Sequence, residues 1–220
     1  MRGLQAAGGA PLTGDTEDGA VPAAPLPGRR IAVLATIVPI VYALDLVTKT
    51  LVLRTLEGRE PLVVIPDLLQ FRVIFNSGAA FSLGTGMTII FTCVAAAVVV
   101  AILRTARNLR SLPWAVTLSL LLGGALGNLT DRIFRWPSGF GPDRPSPFQG
   151  HVVDFIETFP GHFPVWNVAD SAIVCGGVLA VLLAWRGYQI DGTRDTGAAK
   201  TTKDTKDTKD TKDTKENSDG

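Results

Sequence analysis

The chain has 220 residues, a formal net charge of +1, and 46% hydrophobic against 19% charged residues. A charge this close to zero gives no bulk basicity, so we expect no nucleic-acid partner. The apolar residues are concentrated in four blocks between two polar ends, as in a membrane protein rather than a soluble domain.

The two ends of the chain are predicted to be disordered. Residues 1–28 are rich in Ala, Gly and Pro and lack the apolar run of a secretory signal, so they are expected to form a disordered leader. Residues 191–220 end in a Thr-Lys-Asp repeat that has nothing to bury, which predicts a solvated tail without a catalytic role. The membrane domain is therefore expected over residues 29–190.

Four segments of this domain are long and apolar enough to cross a membrane, which takes about 17–25 residues. They cover about residues 31–53, 87–103, 112–129 and 167–185. Arginines flank the start of the first segment, the link between the second and third, and the end of the fourth. The positive-inside rule places these flanks and both termini in the cytoplasm. Segments 54–86 and 130–166 are then expected on the outer face.

Segment 54–86 is too apolar for a solvated loop. From residue 68 to residue 75 its larger apolar residues recur at every second position, which is typical of a strand with one apolar face. With a turn at Pro66-Asp67, two short strands are predicted at about 62–65 and 68–75. Their sheet is expected at the outer interface, its apolar face resting on lipid or substrate or packing on the helix ends.

Within the first span, Asp45 and Lys49 are four residues apart and therefore neighbours on a helix, so we interpret them as a structural ion pair or as a contact to a neighbouring span. Cys93 and Cys175 lie in separate apolar blocks and are expected to be buried small hydrophobes without a disulfide.

The third span ends in a polar motif, GGALGNLTDR. Gly123 and Gly127 form a small-xxx-small pair that lets helices approach closely. Asn128 and Arg132 share a helix face, and Arg132 either binds a phosphate or carbonyl-rich group or is a snorkelling anchor. Asn76, before the second span, adds an amide that both donates and accepts.

Asp154 and Asp170 are the most informative residues, because a charge at the bilayer centre costs about 2.5–3.5 kcal/mol on insertion scales. Two close carboxylates share a proton, so one can activate water while the other protonates a leaving nitrogen. GxSxG and a Cys with a plausible His are both missing from the sequence, and His151 and His162 lack metal-ligand spacing. This pattern favours aspartic amide-bond hydrolysis.

Two other classes remain as alternatives. A proton-coupled carrier would use the aspartates as a relay, but a relay needs carboxylates distributed through the bilayer and these gather at one face. A non-enzymatic assembly factor held together by glycine contacts would tolerate Asp→Asn at both positions.

Five ordered blocks resemble the bacterial lipoprotein signal peptidases, the signal peptidase II family. They are LDLVTK (44–49), FNSGAAFS (75–82), GGALGNLTDR (123–132), HVVDFIE (151–157) and WNVADSAI (166–173). The resemblance implies an α-helical membrane protein with four transmembrane helices, a small outer-face β-sheet (a cradle) and an outer loop or helix over the active site. It also implies an intramembrane aspartic endopeptidase of the plasma membrane, without metal or other cofactor, whose active site lies near the outer face. The implied substrates are prolipoproteins, cleaved just before a diacylglyceryl-modified cysteine, with membrane lipid as the second partner.

By the same resemblance, the catalytic pair corresponds to Asp154 and Asp170. The implied substrate-binding or supporting residues are Asn76, Gly124, Asn128, Arg132, Asn167 and Ala169. Asp45, Lys49 and Asp131 are expected to be structural or supporting. Two departures from the family pattern are the Gly/Pro-rich insert at 133–150, which affects the expected lid, and Trp166, where the family usually has Phe.

Overall fold

The computed structural model describes residues 29–78, 87–135 and 150–195. Its four long helices are α1 (Ile31–Leu56), α2 (Met87–Thr105), α3 (Leu112–Phe134) and α4 (Val168–Trp185). All four are long and apolar enough to cross a membrane. The predicted four-span architecture is confirmed, and the protein is a multi-pass membrane protein.

Helix α3 is the centre of the bundle. Half of its spanning window (50%) is buried inside the protein, against 11% for α1. Glycines allow this close packing: a Cβ at Gly123 would collide with Val41 on α1, and one at Gly124 would collide with the Ala169 carbonyl on α4. Helix α3 also continues five residues past its expected end at residue 129, because its last turn carries polar groups with partners inside the protein.

The outward faces of the helices are apolar. Val47 on α1 is 62% exposed and Val181 on α4 is 69% exposed, as expected for surfaces that meet lipid. Cys93 and Cys175 are free, but both are exposed, so the prediction that they are buried is wrong. An apolar sequence block indicates burial in a membrane as readily as burial in the protein, and only the packing separates the two.

A three-stranded antiparallel sheet extends from the ends of the helices. Its strands are β1 (Leu62–Ile65), β2 (Leu69–Asn76) and β3 (Val152–Thr158), in the order β1-β2-β3. The first two match the predicted strands. The third strand, VVDFIET, was not predicted, although successive side chains of such a run point to opposite faces when it is extended. It pairs with β2 so that Ile74 faces Asp154 and Asn76 faces Val152.

One face of the sheet packs on the end of α1. Val153 and Phe155 of β3 form a buried cluster with Val52 of α1, and Phe71 and Phe75 of β2 pack against it. The structure thus shows the predicted packing on the helix ends for β2, whereas the side chains of β1 (Leu62–Ile65) are exposed. The sheet is therefore fixed rigidly to α1, and β3 presents Asp154 on its opposite face.

The opposite end of the bundle is closed by backbone hydrogen bonds. The Arg30 N–H donates to the Leu109 carbonyl, and the Ser111 N–H donates to the Ile190 carbonyl. These contacts bring the start of α1, the α2–α3 link and the segment after α4 together. The arginine-bearing flanks thus gather at the end away from the sheet.

Several predicted features fall on residues outside the described ranges. They are the leader (1–28), most of the tail (196–220), the end of the FNSGAAFS block (79–82) and most of the insert (136–149), including any lid over the site.

Candidate active site

The site begins at the first turn of α4, which starts with a reciprocal cap. Asn167 is the N-cap, and its Oδ1 accepts from the Asp170 backbone N–H at 2.9 Å. Asp170 Oδ2 accepts in return from the Asn167 backbone N–H at 3.3 Å. This capping box satisfies helix-end donors and leaves the Asp170 side chain little rotational freedom. A carboxylate here is also favoured by the positive end of the helix dipole.

Asp154 reaches the same place from the sheet. It is only 2% exposed. Its Oδ2 accepts from Asn76 Nδ2 at 2.8 Å, and its Oδ1 accepts from Asn167 Nδ2 at 2.6 Å. Asn167 thus caps the helix that carries one aspartate and donates to the other, so strand and helix are joined through a single amide.

Asn128 of α3 completes this network. Its Nδ2 donates to Asp170 Oδ1 at 2.7 Å, and its Oδ1 accepts from Asn167 Nδ2 at 3.2 Å. The carboxylates of Asp154 and Asp170 are therefore held by amide donors from β2, α3 and the start of α4. Burial and, after it, the nearby charge of Asp170 raise the pKa of Asp154 to about 6, against the opposing effects of the Asn76 and Asn167 amides and the Lys49 charge.

A second polar cluster lies beneath the aspartates. Lys49 Nζ contacts Asp45 Oδ2 at 2.7 Å and Asp131 Oδ2 at 2.8 Å, and Arg135 Nε contacts Asp131 Oδ1 at 2.8 Å. All four side chains are buried. Two acids and two bases neutralise each other here, as buried charges require.

This charged cluster also supports the site backbone. Asp45 Oδ1 accepts from the Ala169 N–H at 2.9 Å, and Asp131 Oδ2 accepts from the Val153 N–H at 3.2 Å. Ala169 precedes Asp170, and Val153 precedes Asp154. Each structural carboxylate therefore fixes the peptide next to one of the site aspartates.

Arg132 and His151 lie beside the network. The Arg132 guanidinium lies 5.6 Å from the Phe91 ring centroid, and its Nη1 is buried without a hydrogen-bond partner among the described residues. Burial lowers the pKa of His151, and the charge of Arg132 lowers it further. A buried unpaired guanidinium N–H is costly, so this atom is available to an oxygen of a bound molecule.

Two clefts reach these residues. One, of about 260 Å³, is lined by Ile74, Asn76, Asp154 and Val165 near the sheet. The other, of about 210 Å³, lies between α2, α3 and α4. Its walls are apolar residues such as Val94 and Ile173, with Asn128 and Arg132 among its lining. Within the described ranges, no group of three or more His, Cys, Asp or Glu has the geometry to hold a metal ion.

The structure brings the expected site residues into one region, in different ways. Asn76, Asn128 and Asn167 contact the two aspartates directly. Gly124 and Ala169 are buried against each other at the α3–α4 contact, so they position the start of α4.

Sequence reasoning missed two contributors to this region. Arg135 belongs to the charged cluster, although it lies inside the insert that was expected to be a loop. The contact of Lys49 with Asn128, at 2.9 Å, was also missed, because helix spacing points only to Asp45 as its partner.

The family model described as signal peptidase (SPase) II, Peptidase_A8, matches residues 37–186. The chain belongs to the signal peptidase II family. It is therefore a peptidase, as the sequence predicts.

Relatives within the signal peptidase II family are similar in sequence over most of the chain. A lipoprotein signal peptidase of Streptomyces coelicolor is 57% identical over 165 residues, which cover 75% of this chain and 76% of the relative. One of Rhodococcus jostii is 46% identical over 180 residues, covering 82% and 86%. A solved structure described as a bacterial membrane enzyme superposes with a TM-score of 0.60 at 29% identity, covering 73% of this chain and 97% of the other.

Proposed function

We propose that this signal peptidase II family member removes the signal peptide from diacylglyceryl-modified prolipoproteins, and that Asp154 and Asp170 carry out the hydrolysis. The observation that supports this most is the shared network: one amide, Asn167, caps the helix that bears Asp170 and donates to Asp154. Two carboxylates held this way, with the pKa of Asp154 raised to about 6, can act as an acid–base pair.

The chemistry needs only water and the two side chains. The ionised carboxylate accepts a proton from water as the water oxygen attacks the scissile carbonyl carbon. The protonated partner donates its proton to the carbonyl oxygen, which gives a gem-diol. As the C–N bond breaks, the first carboxyl passes the proton taken from water to the leaving amine, and a diol hydroxyl returns a proton to the partner carboxylate. The products are a free carboxylate on the signal peptide and a free amine on the cysteine.

The surroundings of the pair fit a lipid-bearing peptide. The cleft beside Asn76 and Asp154 is placed to hold the extended peptide, and the apolar groove between α2, α3 and α4 is placed to hold hydrocarbon. The unpartnered Nη1 of Arg132, at the polar end of that groove, would donate to a carbonyl oxygen of the substrate. Membrane lipid then surrounds the site, and the diacylglyceryl group is part of the bound substrate.

The orientation of the protein is part of the same proposal. The arginines at the end away from the sheet favour a cytoplasmic location for that end and for both termini, which places the aspartates near the outer face of the plasma membrane. Single cysteines placed at residue 59 and at residue 107, in a background without Cys93 and Cys175, test this in intact cells. A membrane-impermeant thiol reagent should label only the cysteine at 59, and labelling only at 107 would reverse the orientation.

The decisive experiment uses purified protein with a diacylglyceryl-modified prolipoprotein. Asp154→Asn and Asp170→Asn should each lower kcat by about 10²–10⁴-fold, the size of a lost acid–base contribution. Both variants should keep the wild-type far-UV circular dichroism spectrum. The same prolipoprotein with Ser in place of the modified Cys is the control and should resist cleavage. Full activity in either aspartate variant would contradict the assignment.

A further inference from the structure

Lys49 makes one contact that charge pairing does not explain. Its ammonium is 0% exposed and lies between Asp45 and Asp131, which account for its burial. Its third contact is a neutral atom, Asn128 Oδ1, at 2.9 Å. Asn128 is the residue that donates to Asp170, so this third contact leads from the charged cluster to the proposed catalytic pair.

The direction of this contact follows from the chemistry of the two groups. An ammonium has three donors and no acceptor, whereas a carboxamide has an oxygen on one side and an NH₂ on the other. The atom of Asn128 that faces Lys49 must therefore be the oxygen. That choice turns Nδ2 toward Asp170 Oδ1, where it donates at 2.7 Å.

Asn167 also donates to Asn128, but it binds the Asn128 oxygen less strongly than Lys49 does. Asn167 Nδ2 approaches Asn128 Oδ1 at 3.2 Å, but the same nitrogen donates to Asp154 at the shorter distance of 2.6 Å. Lys49 is thus the nearer and the charged donor, and charge-assisted hydrogen bonds are about twice as strong as neutral ones.

On the basis of the proposed function, we propose that Lys49 is a positioning residue of the hydrolysis, which fixes the amide orientation of Asn128 and so keeps an N–H group on Asp170. Without Lys49, only the longer contact from Asn167 opposes a turn of the Asn128 oxygen toward Asp170. A carbonyl oxygen there repels a carboxylate and accepts from a protonated carboxyl, so the pair would hold its proton more tightly. The charged groups around this contact are Asp45 on α1, Asp131 and Arg132 on α3, Arg135 just after α3, Asp154 on β3 and Asp170 on α4.

The test removes the contact without leaving a buried charge unpaired. Asp45→Asn with Lys49→Met removes one acid and one base from the cluster, and Asp131 keeps Arg135. The matched control, Asp131→Asn with Arg135→Met, also removes one i,i+4 ion pair but leaves Lys49 on Asn128. In both, the asparagine oxygen can still accept the backbone N–H that the aspartate accepted.

Both double variants should lower the melting temperature by similar amounts. The Asp45/Lys49 variant should lose about 10²-fold in kcat with little change in KM, because misplacing a catalytic group costs about that much. The upper limb of its pH–kcat/KM profile should also move to higher pH. The control also alters the carboxylate that supports Val153, so some loss of kcat is expected. That loss should be clearly smaller than in the Asp45/Lys49 variant, and the upper pH limb should stay at the wild-type position, because effects of about 10²-fold need displaced reacting groups.

Equal kcat values and equal pH limbs in the two double variants would overturn the positioning role and leave Lys49 purely structural. If the Asp45/Lys49 variant does not fold, Lys49→Arg decides the question. Arginine keeps a positive charge and a hydrogen-bond donor at position 49. The upper limb of the pH–kcat/KM profile should therefore stay where it is in the wild type, and a shifted limb would contradict the proposal. Failure of the proposed function is distinct from these outcomes, because wild-type protein would then not cleave the lipid-modified substrate.

Discussion

At the scale of single residues, the three asparagines of the site determine how the two aspartates differ. Asp154 is almost fully buried on a strand and accepts from two side-chain amides. Asp170 begins a helix, is less buried, and shares its oxygens between Asn128 and a backbone N–H. Environments that differ this much separate the roles of two otherwise identical carboxyl groups.

The pH dependence of cleavage follows from this difference. Because the pKa of Asp154 is raised to about 6, the pair holds a proton below that pH and loses it above. Above pH 6 Asp154 loses its proton and the proposed reaction loses its acid, so kcat/KM should fall about tenfold per pH unit. Initial rates between pH 5 and pH 8 at low substrate concentration measure this. A flat profile over that range would show that the pair does not share its proton as proposed.

At the scale of elements, β3 is held to β2 by a carboxylate as well as by backbone pairing. Glu157 accepts from Gln70 Nε2 at 2.6 Å and contacts Arg72 Nε at 2.7 Å, both on β2. Burial alone would raise the pKa of Glu157, but these partners and the Gly161 N–H hold it below its usual range. This carboxylate helps to fix the strand that presents Asp154.

A lowered pKa makes the Glu157 contribution depend on pH. The stabilisation is complete above the pKa of the unfolded chain, about 4.3, and is lost as pH falls through the lower folded value. Glu157→Gln should therefore cost about 1–3 kcal/mol at pH 7, since it removes hydrogen bonds to a charged group. Melting curves in detergent at pH 7 and near pH 3 test this: the gap between variant and wild type should close in acid. A gap that stays constant would mean that Glu157 acts through packing alone.

At the scale of the whole molecule, the protein is a four-helix membrane bundle whose polar residues concentrate at one end. Helix α3 links the others: its glycines contact α1 and α4, and its last turns carry Asn128, Asp131 and Arg132. The other end is closed by backbone contacts near Leu109 and Ile190. The family match covers residues 37–186, which excludes the Thr-Lys-Asp repeat.

Removal of residues 196–220 should accordingly leave cleavage nearly unchanged, because nothing in that repeat is apolar enough to pack on the bundle. The comparison is kcat/KM for full-length and truncated protein at equal concentration in the same lipid. A loss greater than about tenfold would assign the tail a role that its composition does not suggest.

Much of this organisation could be predicted from the sequence. Hydropathy located the four spans, alternation located β1 and β2, and the cost of a carboxylate in a membrane pointed to Asp154 and Asp170. The pairing of β3 with β2 could not be predicted, because it joins residues from 76 positions apart (Asn76 and Val152) to 89 positions apart (Leu69 and Thr158). The same holds for the choice of Asn128 as partner of Asp170, since side-chain partners across helices depend on packing that has no local signal. The exposure of Cys93 and Cys175 was missed for that reason too.

The origin of the two aspartates in separate elements has a consequence for biosynthesis. Asp154 is placed by a strand that must find β2, and Asp170 by a helix start that must dock on α3. A partly inserted chain has both carboxyl groups but no Asn167 bridge between them. The acid–base pair therefore exists only after the last span and the sheet have come together. In the proposed mechanism, assembly of the last span and the sheet is itself the activation step.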